Sequence, residues 1–438
     1  MISYSKGKLK MDSRRSILEF MMDVSLLVLL CAVTVFGGTG RGTDYVYYVG
    51  FFFFVGLTVV KTILSGKGNI NIQITYYVIW YGVFILLGIA SSIWADYFSA
   101  VFVTTSRMLQ IITLGICLKY YLKTHEDMQR LLNILMISFL VMTFFILIRT
   151  PVDEWFSGFV GKTATNFNTN NIGLSASIGT MIAFYEAYVL GKKRYFIAVI
   201  PPLALVVMTS SRKSLFMALA AMALIALLNT RSKNYFLRLL VSLGIVAALS
   251  FAVVRIPVLY RAIGVRFVSM YEYMMNDDFS ADSSVNKRMS LIYMAKIFFY
   301  EHPFRGIGLN NFAARYTKTV TYVGYAHNNF WEIAADLGVI GLLAYYWFYV
   351  YLLVRHFRQI LLGNKLSILF FSYVLILLFT EYGQVSYYDR LQQMMLAVSF
   401  SALFIAGDAE FAAAGGESEE EDEADGSGDY PGAVREER

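Results

Sequence analysis

Apolar residues run along this chain in continuous blocks rather than along one face of a surface helix, and many blocks are close to twenty residues long. A helix needs about 20 mostly apolar residues to cross the hydrocarbon core of a bilayer. That length predicts about twelve spans, near 16–37, 44–64, 72–93, 99–118, 131–148, 171–191, 195–211, 213–228, 236–254, 329–354, 365–383 and 390–407. The expected fold is an all-α integral membrane protein. The first block is too long, and has too many successors, to read as a cleaved signal peptide.

Lysine and arginine collect in alternate connections, which sets the expected orientation. The leader holds Lys6, Lys8, Lys10, Arg14 and Arg15, and alternate loops then carry Lys67, Lys119, Lys192 and Arg231 with their basic neighbours. Arg355 and Arg358 close the series. Both termini are therefore expected in the cytoplasm. The chain divides into a basic leader (1–15), a bundle of about nine spans (16–254), an outer loop or lid (255–326), a second bundle of about three spans (327–407) and an acidic tail (408–438). The long loop exceeds an ordinary connection and is expected to be functional. Within it, residues after Ser283 and Ser284 read as an amphipathic helix stopped by Pro303 and Gly306, with Met289, Ile292, Ala295, Ile297 and Phe299 on its apolar face. Such a helix can lie on the membrane surface as a lid.

Composition agrees: 57% of residues are hydrophobic, 16% are charged and mean hydropathy is +0.56. Cys31 and Cys117 both fall in apolar runs, which excludes a disulfide framework or a cysteine metal site. The net charge of +6 hides an asymmetry, because the tail from Asp408 carries twelve acidic and two basic residues. That tail is expected to be disordered. The scattered positive charge elsewhere fits topogenic loops and anionic lipid, and argues against nucleic-acid binding.

Several polar residues sit where lipid penalises them. The run AHNNFWEIAADLGVIGLL opens with His327 and Asn328 and carries Glu332 and Asp336, four apart on one helix face. His327 reads either as a helix-capping histidine or as a general base, since imidazole titrates near neutral pH. The two carboxylates can orient it or pair with arginine. Gly338 and Gly341 read as close-packing positions. Arg212, in MTSSRKSLF, reads as an interfacial anchor or, with Ser210 and Ser211, as a phosphate site. Arg288 reads as a solvated charge or as a second phosphate ligand. Arg107 lies inside the fourth block, where insertion costs at least ~2.5 kcal/mol, so it needs a partner such as Asp336 or Glu332. Asn168, Asn170 and Asn171, in TNFNTNNIG, can bind sugar hydroxyls or cap the next helix. No phosphate-binding glycine loop or metal-spaced acidic pair stands out.

The run from Ala326 to Gly341 resembles the signature of the O-antigen ligase and polymerase superfamily, with His-Asn followed by an acidic residue before Gly-x-x-Gly. TSSRKSLF is similar to that family's serine-arginine turn, which carries over to Arg212. NKRMSLIYMAKIFFYEHPFRGIGLNNF is similar to its arginine-bearing outer helix, carrying over to Arg288. NFNTNNIG is a weaker match through Asn171, and the likeness spans roughly 166–343. Asp336 departs from it, standing where glutamate is commoner. His302, before Pro303, resembles a turn position rather than the base. The resemblance implies a glycosyltransferase of the bacterial cytoplasmic membrane, acting on its outer face without cofactor or metal, by inversion. Its implied partners are an undecaprenyl-pyrophosphate-linked glycan donor, a glycan or lipid-linked acceptor, and membrane lipid.

The ligase branch delivers glycan to lipid A core, and the polymerase branch, the favoured expectation, extends the polysaccharide. Arg212 and Arg288 can neutralise the leaving pyrophosphate, with Ser211, Asn171 and Asn328 as further substrate contacts, His327 as base, and Glu332, Asp336 and Arg107 in support. The rival from another class is a lipid-linked oligosaccharide flippase. That function favours charges at the midplane between internal repeats, whereas these charges cluster near one face and no repeat is visible.

Overall fold

The computed structural model describes residues 16–36, 44–64, 72–155, 160, 168–229, 283–319 and 324–405, with isolated positions between 236 and 268. No strand occurs among the described residues. The basic leader and the acidic tail lie outside them, as does most of the expected span 236–254.

The helices are α1 (Ile17–Cys31), α2 (Asp44–Leu64), α3 (Ile72–Ala90), α4 (Phe98–Tyr121), α5 (His125–Arg149), α6 (Thr169–Tyr188), α7 (Tyr195–Met208) and α8 (Arg212–Leu228). The segment before the second bundle supplies α9 (Ser283–Glu301) and α10 (Asn311–Thr319). The chain then forms α11 (Asn329–Leu361), α12 (Lys365–Thr380) and α13 (Arg390–Ile405). Seven of the helical segments among the described residues are long and apolar enough to cross a membrane, beginning at Ile17, Tyr45, Tyr76, Phe98, His125, Asn329 and Lys365. α7 and α13 are apolar but shorter. Among the described residues the structure is thus all-helical with seven candidate spans, and the twelve that the length of the apolar blocks suggests are not all found among them.

Start signals are local and polar. Ser16 accepts from Glu19 N at 3.2 Å, and Asn364 from Ser367 N at 3.2 Å. Thr124 and Asp127 form a reciprocal capping box that starts α5 at His125, ahead of the apolar block from 131. α11 likewise continues to Leu361, past the apolar limit near 354, and takes up Arg355, His356 and Arg358. Arginine is a good helix former and suits a helix C-terminus. His356 is therefore no loop residue: it is fully buried and within 3.1 Å of Ser367 Oγ and 2.9 Å of Ser399 Oγ.

Helix α6 is buried on nearly every face from Ile172 to Ala187 and packs on α5, α7, α8 and α12, so it forms the centre of the bundle. α11 packs on α3 and α12. The periphery is apolar, with Phe52 67% and Leu86 65% exposed, which suits contact with acyl chains and not with water.

A second, smaller core lies beside the head of α11. It joins Leu291, Ala295 and Phe298 of α9 to Ile307, Phe312 and Tyr316, and to Ala326 and Ala335. The buried face of α9 thus runs 291, 295 and 298, with Ile292 alongside. Met289 is exposed and Ile297 and Phe299 are only half-buried, because packing against α11 selects a stripe one step round from the expected face.

Candidate active site at the head of α11

The sequence Ala326-His327-Asn328 makes a sharp entry into α11. Asn328 caps the helix, its side-chain oxygen accepting from Trp331 N at 3.1 Å. Glu332, one turn in, reaches back so that Oε2 accepts from Ala326 N. Between these two anchors His327 has φ 53°, a left-handed conformation that β-carbon sterics disfavour. Strain held from both sides in this way is typical of functional positions. The ring of His327 packs on Tyr325, with centroids 4.0 Å apart.

Asn329 continues the scaffold. Its Oδ1 accepts from Ser386 N at 2.9 Å and Tyr387 N at 3.2 Å, while its Nδ2 donates to Tyr346 Oη at 2.8 Å. Tyr346 and Tyr349 donate to the buried Glu381 at 2.9 and 2.6 Å, and Ser386 Oγ donates to the same carboxylate. Glu381 therefore ties α11 to the segment after α12. Nothing in the sequence near Glu381 marks this role.

Nine residues below its start, α11 breaks. Gly338 has φ 67° and ψ −164°, and the strap 303–308 lies across the gap. Ile307 N donates to Ala335 O at 2.9 Å, Gly308 N to Asp336 O at 2.8 Å, and Val339 N to Pro303 O at 2.9 Å. Backbone meets backbone so closely that a β-carbon on Gly306 would lie 2.2 Å from Asp336 C, and one on Gly338 2.3 Å from Phe304 C. Gly338 is thus a close-packing glycine as expected, but its partner is a strap and not a helix. Asp336 caps α10: its carboxylate accepts from Asn310 N at 2.7 Å, Phe312 N at 2.9 Å and Tyr387 Oη at 3.3 Å. An anion there complements the N-terminal end of the α10 dipole.

Both acidic residues of α11 are therefore committed to backbone, and no ion pair joins either to Arg107 among the described residues. The pairing expected for Arg107 is replaced by an aromatic one. Its guanidinium carbon lies 5.4 Å from the Tyr388 ring centroid. In the serine-arginine turn Ser211 caps α8, its Oγ accepting from Ser214 N at 3.4 Å and from Ser214 Oγ at 2.9 Å, so the hydroxyl is held in place as an acceptor and its own O–H keeps the capacity to donate. The neighbouring Ser210 is left-handed at φ 53°, and its buried Oγ has no partner among the described residues. This turn packs on Gly173 of α6, where a β-carbon would meet Ser214 Oγ at 2.5 Å. Asn168 caps α6 by accepting from Asn170 N at 3.0 Å, whereas Asn171 is exposed.

Three basic side chains bear electrostatically on His327: Arg288 and Lys287 of α9, and the buried Lys213 of α8. Burial first, then these charges, pull the imidazole down to about 3, so it is neutral at physiological pH. Since α9 starts at Ser283, Arg288 lies in its second turn, beyond the strongest part of the helix dipole, and is half-buried. Lys213 is the residue the sequence hid. Its Nζ donates to Gly383 O at 3.1 Å and Gln384 Oε1 at 3.2 Å, which draws the start of α8 toward the segment after α12. Arg212, one residue earlier, is half-buried at the first position of α8. No group of three or more His, Cys, Asp or Glu side chains is placed to hold a metal among the described residues.

Beside His327, a cavity of about 210 Å³ is lined by Tyr325, Arg107, Asn171, Tyr388, Asp389 and Arg390 among others. The site thus joins a neutral imidazole, a group of cations and a polar hollow within a bundle of apolar helices.

No curated protein matches the chain. Residues 197–346, which run from α7 through α9 and α10 to the first half of α11, match the family model described as O-antigen ligase. Over that stretch, about a third of its length, the chain is similar to O-antigen ligases, which supports the resemblance to the O-antigen ligase and polymerase superfamily.

Proposed function

We propose that the chain is a membrane glycosyltransferase that polymerises undecaprenyl-pyrophosphate-linked oligosaccharide on the outer face of the bacterial cytoplasmic membrane. His327 is the general base. An imidazole nitrogen takes the proton from an acceptor hydroxyl as that oxygen attacks the anomeric carbon of the donor sugar. The bond from that carbon to the pyrophosphate oxygen breaks, the configuration inverts, and the lipid pyrophosphate leaves. Arg288 and Arg212, with Lys213, neutralise the charge that develops on the leaving group. Asn328 holds the helix start beneath the base. Apolar surface between the helices receives the polyprenyl tail, and α9 with the strap shields the site from water that would hydrolyse the donor. Both termini lie in the cytoplasm in this reading, which rests on the alternation of basic connections.

The observation that carries it is His327 itself. The residue sits on a strained backbone fixed from both sides, uncharged, and within the field of three basic side chains. A base must be unprotonated to act, and a pyrophosphate leaving group needs positive charge beside it.

Reconstitution of the full chain with a lipid-pyrophosphate-linked repeat unit tests the proposal. A ladder of lengthening products is the expected outcome. A single transfer to lipid A core would replace polymerase by ligase, and substrate crossing the membrane without new bonds would sink the enzyme reading.

A further inference from the structure

The cavity beside His327 contains more positive charge than its own residues use. Its lining has two arginines, Arg107 and Arg390, against one carboxylate, Asp389. Arg390 is occupied: its guanidinium carbon lies 3.7 Å from the Tyr47 ring centroid, and Nη2 donates to Gln110 Oε1 at 3.2 Å. Arg107 faces the hollow with the Tyr388 ring as its contact; the Asp389 carboxylate acts on it electrostatically, but no ion pair or hydrogen bond joins Arg107 to any group among the described residues. A guanidinium ten residues into an apolar helix, with its donors unused, is costly unless something arrives to meet it. The rest of the lining suits a sugar, with Asn171, Ser175 and the Nε2 of Gln392 offering amide and hydroxyl groups, and Tyr325 and Tyr388 offering ring faces. At ~30 Å³ per water, 210 Å³ is the room of about seven waters, enough for about one sugar ring.

From this juxtaposition we propose that the cavity is a glycan subsite selective for a sugar carrying a carboxylate, held by the Arg107 fork and hydrogen-bonded by the amides around it. The planar fork of arginine matches a carboxylate in two parallel hydrogen bonds, which a neutral hexose cannot supply. Tyr325 lines the cavity and packs on His327, so a ring seated there lies next to the base. The placement of this subsite next to a reacting hydroxyl rests on the glycosyltransferase reading; its selectivity for a carboxylate does not.

The test uses the full chain in lipid nanodiscs and saturation-transfer NMR with glucuronate, glucose and inorganic pyrophosphate as probes. Glucuronate is expected to bind roughly tenfold more tightly than glucose, a gap of ~1.4 kcal/mol. Arg107→Gln is expected to erase the gap. Asn171→Asp gives a second handle that does not threaten folding, because position 171 is exposed in the first turn of α6, where an acidic side chain is favoured. Its new carboxylate should repel glucuronate and so narrow the gap, weakening glucuronate several-fold more than it weakens glucose, which loses at most one amide contact. Equal binding of the two sugars would overturn the proposal. So would displacement of glucuronate by pyrophosphate, with Arg107→Gln weakening pyrophosphate instead, since Arg107 would then serve the lipid diphosphate. Glucuronate selectivity in a protein that makes no polymer and transfers no glycan would leave this subsite standing and remove the glycosyltransferase reading alone.

Discussion

Replacing Gly338 by alanine puts a methyl group where the strap 303–308 already lies. The new β-carbon would sit 2.3 Å from both C and O of Phe304 and 2.7 Å from Arg305 N. These are backbone atoms and cannot swing aside, so strap and helix must separate by about 1 Å to reach ordinary carbon contact. Three backbone hydrogen bonds cross that gap, at 2.8–2.9 Å, and each contributes about 1 kcal/mol. The left-handed φ of 67° adds about 1–2 kcal/mol for any residue with a β-carbon. The expected loss is therefore on the order of 4 kcal/mol. Gly306→Ala should lose a similar amount, because its β-carbon would strike Asp336 C and O at 2.2 and 2.3 Å from the other side. Since both changes open one gap, the double variant should fall well short of the sum. The assay is the thermal midpoint for loss of the monodisperse peak in detergent, with Gly82→Ala as control. Nothing lies within 4 Å of a β-carbon at Gly82, in the middle of α3, and helix propensity favours alanine there. Midpoints for Gly338→Ala and Gly82→Ala that coincide, or losses at 306 and 338 that add, would refute the strap reasoning.

Removing the imidazole by His327→Ala should abolish transfer in the reconstituted system while donor binding, followed by fluorescent lipid-pyrophosphate titration, persists; full activity would dismiss it as the base. Arg288→Ala and Lys213→Met should each weaken donor binding and transfer together, read as parallel losses in titration and product yield. The pH dependence follows from the low value of about 3 at His327. The unfolded chain, at an ordinary ~6.5, binds more protons in the intervening window, so this residue's contribution to stability is present above about 6.5 and is lost as pH falls toward 3. kcat/KM, which reports the free enzyme, should accordingly show no acid limb near 6.5, whereas kcat should show one at higher pH because bound pyrophosphate offsets the three basic side chains. Asp336→Asn should cost about 1–3 kcal/mol, since an amide presents its N–H₂ to one of the two backbone N–H groups of α10 and leaves it unpaired.

Much of the site was legible in residues 326–341, because polar groups in an apolar block are conspicuous wherever they fold. His327 stands out on that ground, whereas Arg288 is reached through the family resemblance, and Asn328 reads as a substrate contact and not as the helix cap it forms. The partners were not legible. Glu332 and Asp336 read as companions for arginine, but both turn to backbone N–H groups that the segment before α11 brings alongside. Lys213 carries no signal of its own in the sequence, because Gly383 and Gln384, some 170 positions later, come within reach of its ammonium only in the fold.

The sequence by itself determined that this chain is a bundle of apolar helices, because the length of an apolar block and the polar caps at its ends are local properties that lipid and backbone hydrogen bonding read directly. It also marked where polar chemistry interrupts that bundle. Only the tertiary structure decided that α11 breaks at Gly338, that its carboxylates act as backbone caps, and that basic side chains from α8 and α9 surround one imidazole. Those choices depend on which distant segment lies within about 3 Å of a given atom, and hydrogen-bond geometry of that kind is fixed by packing across the whole fold.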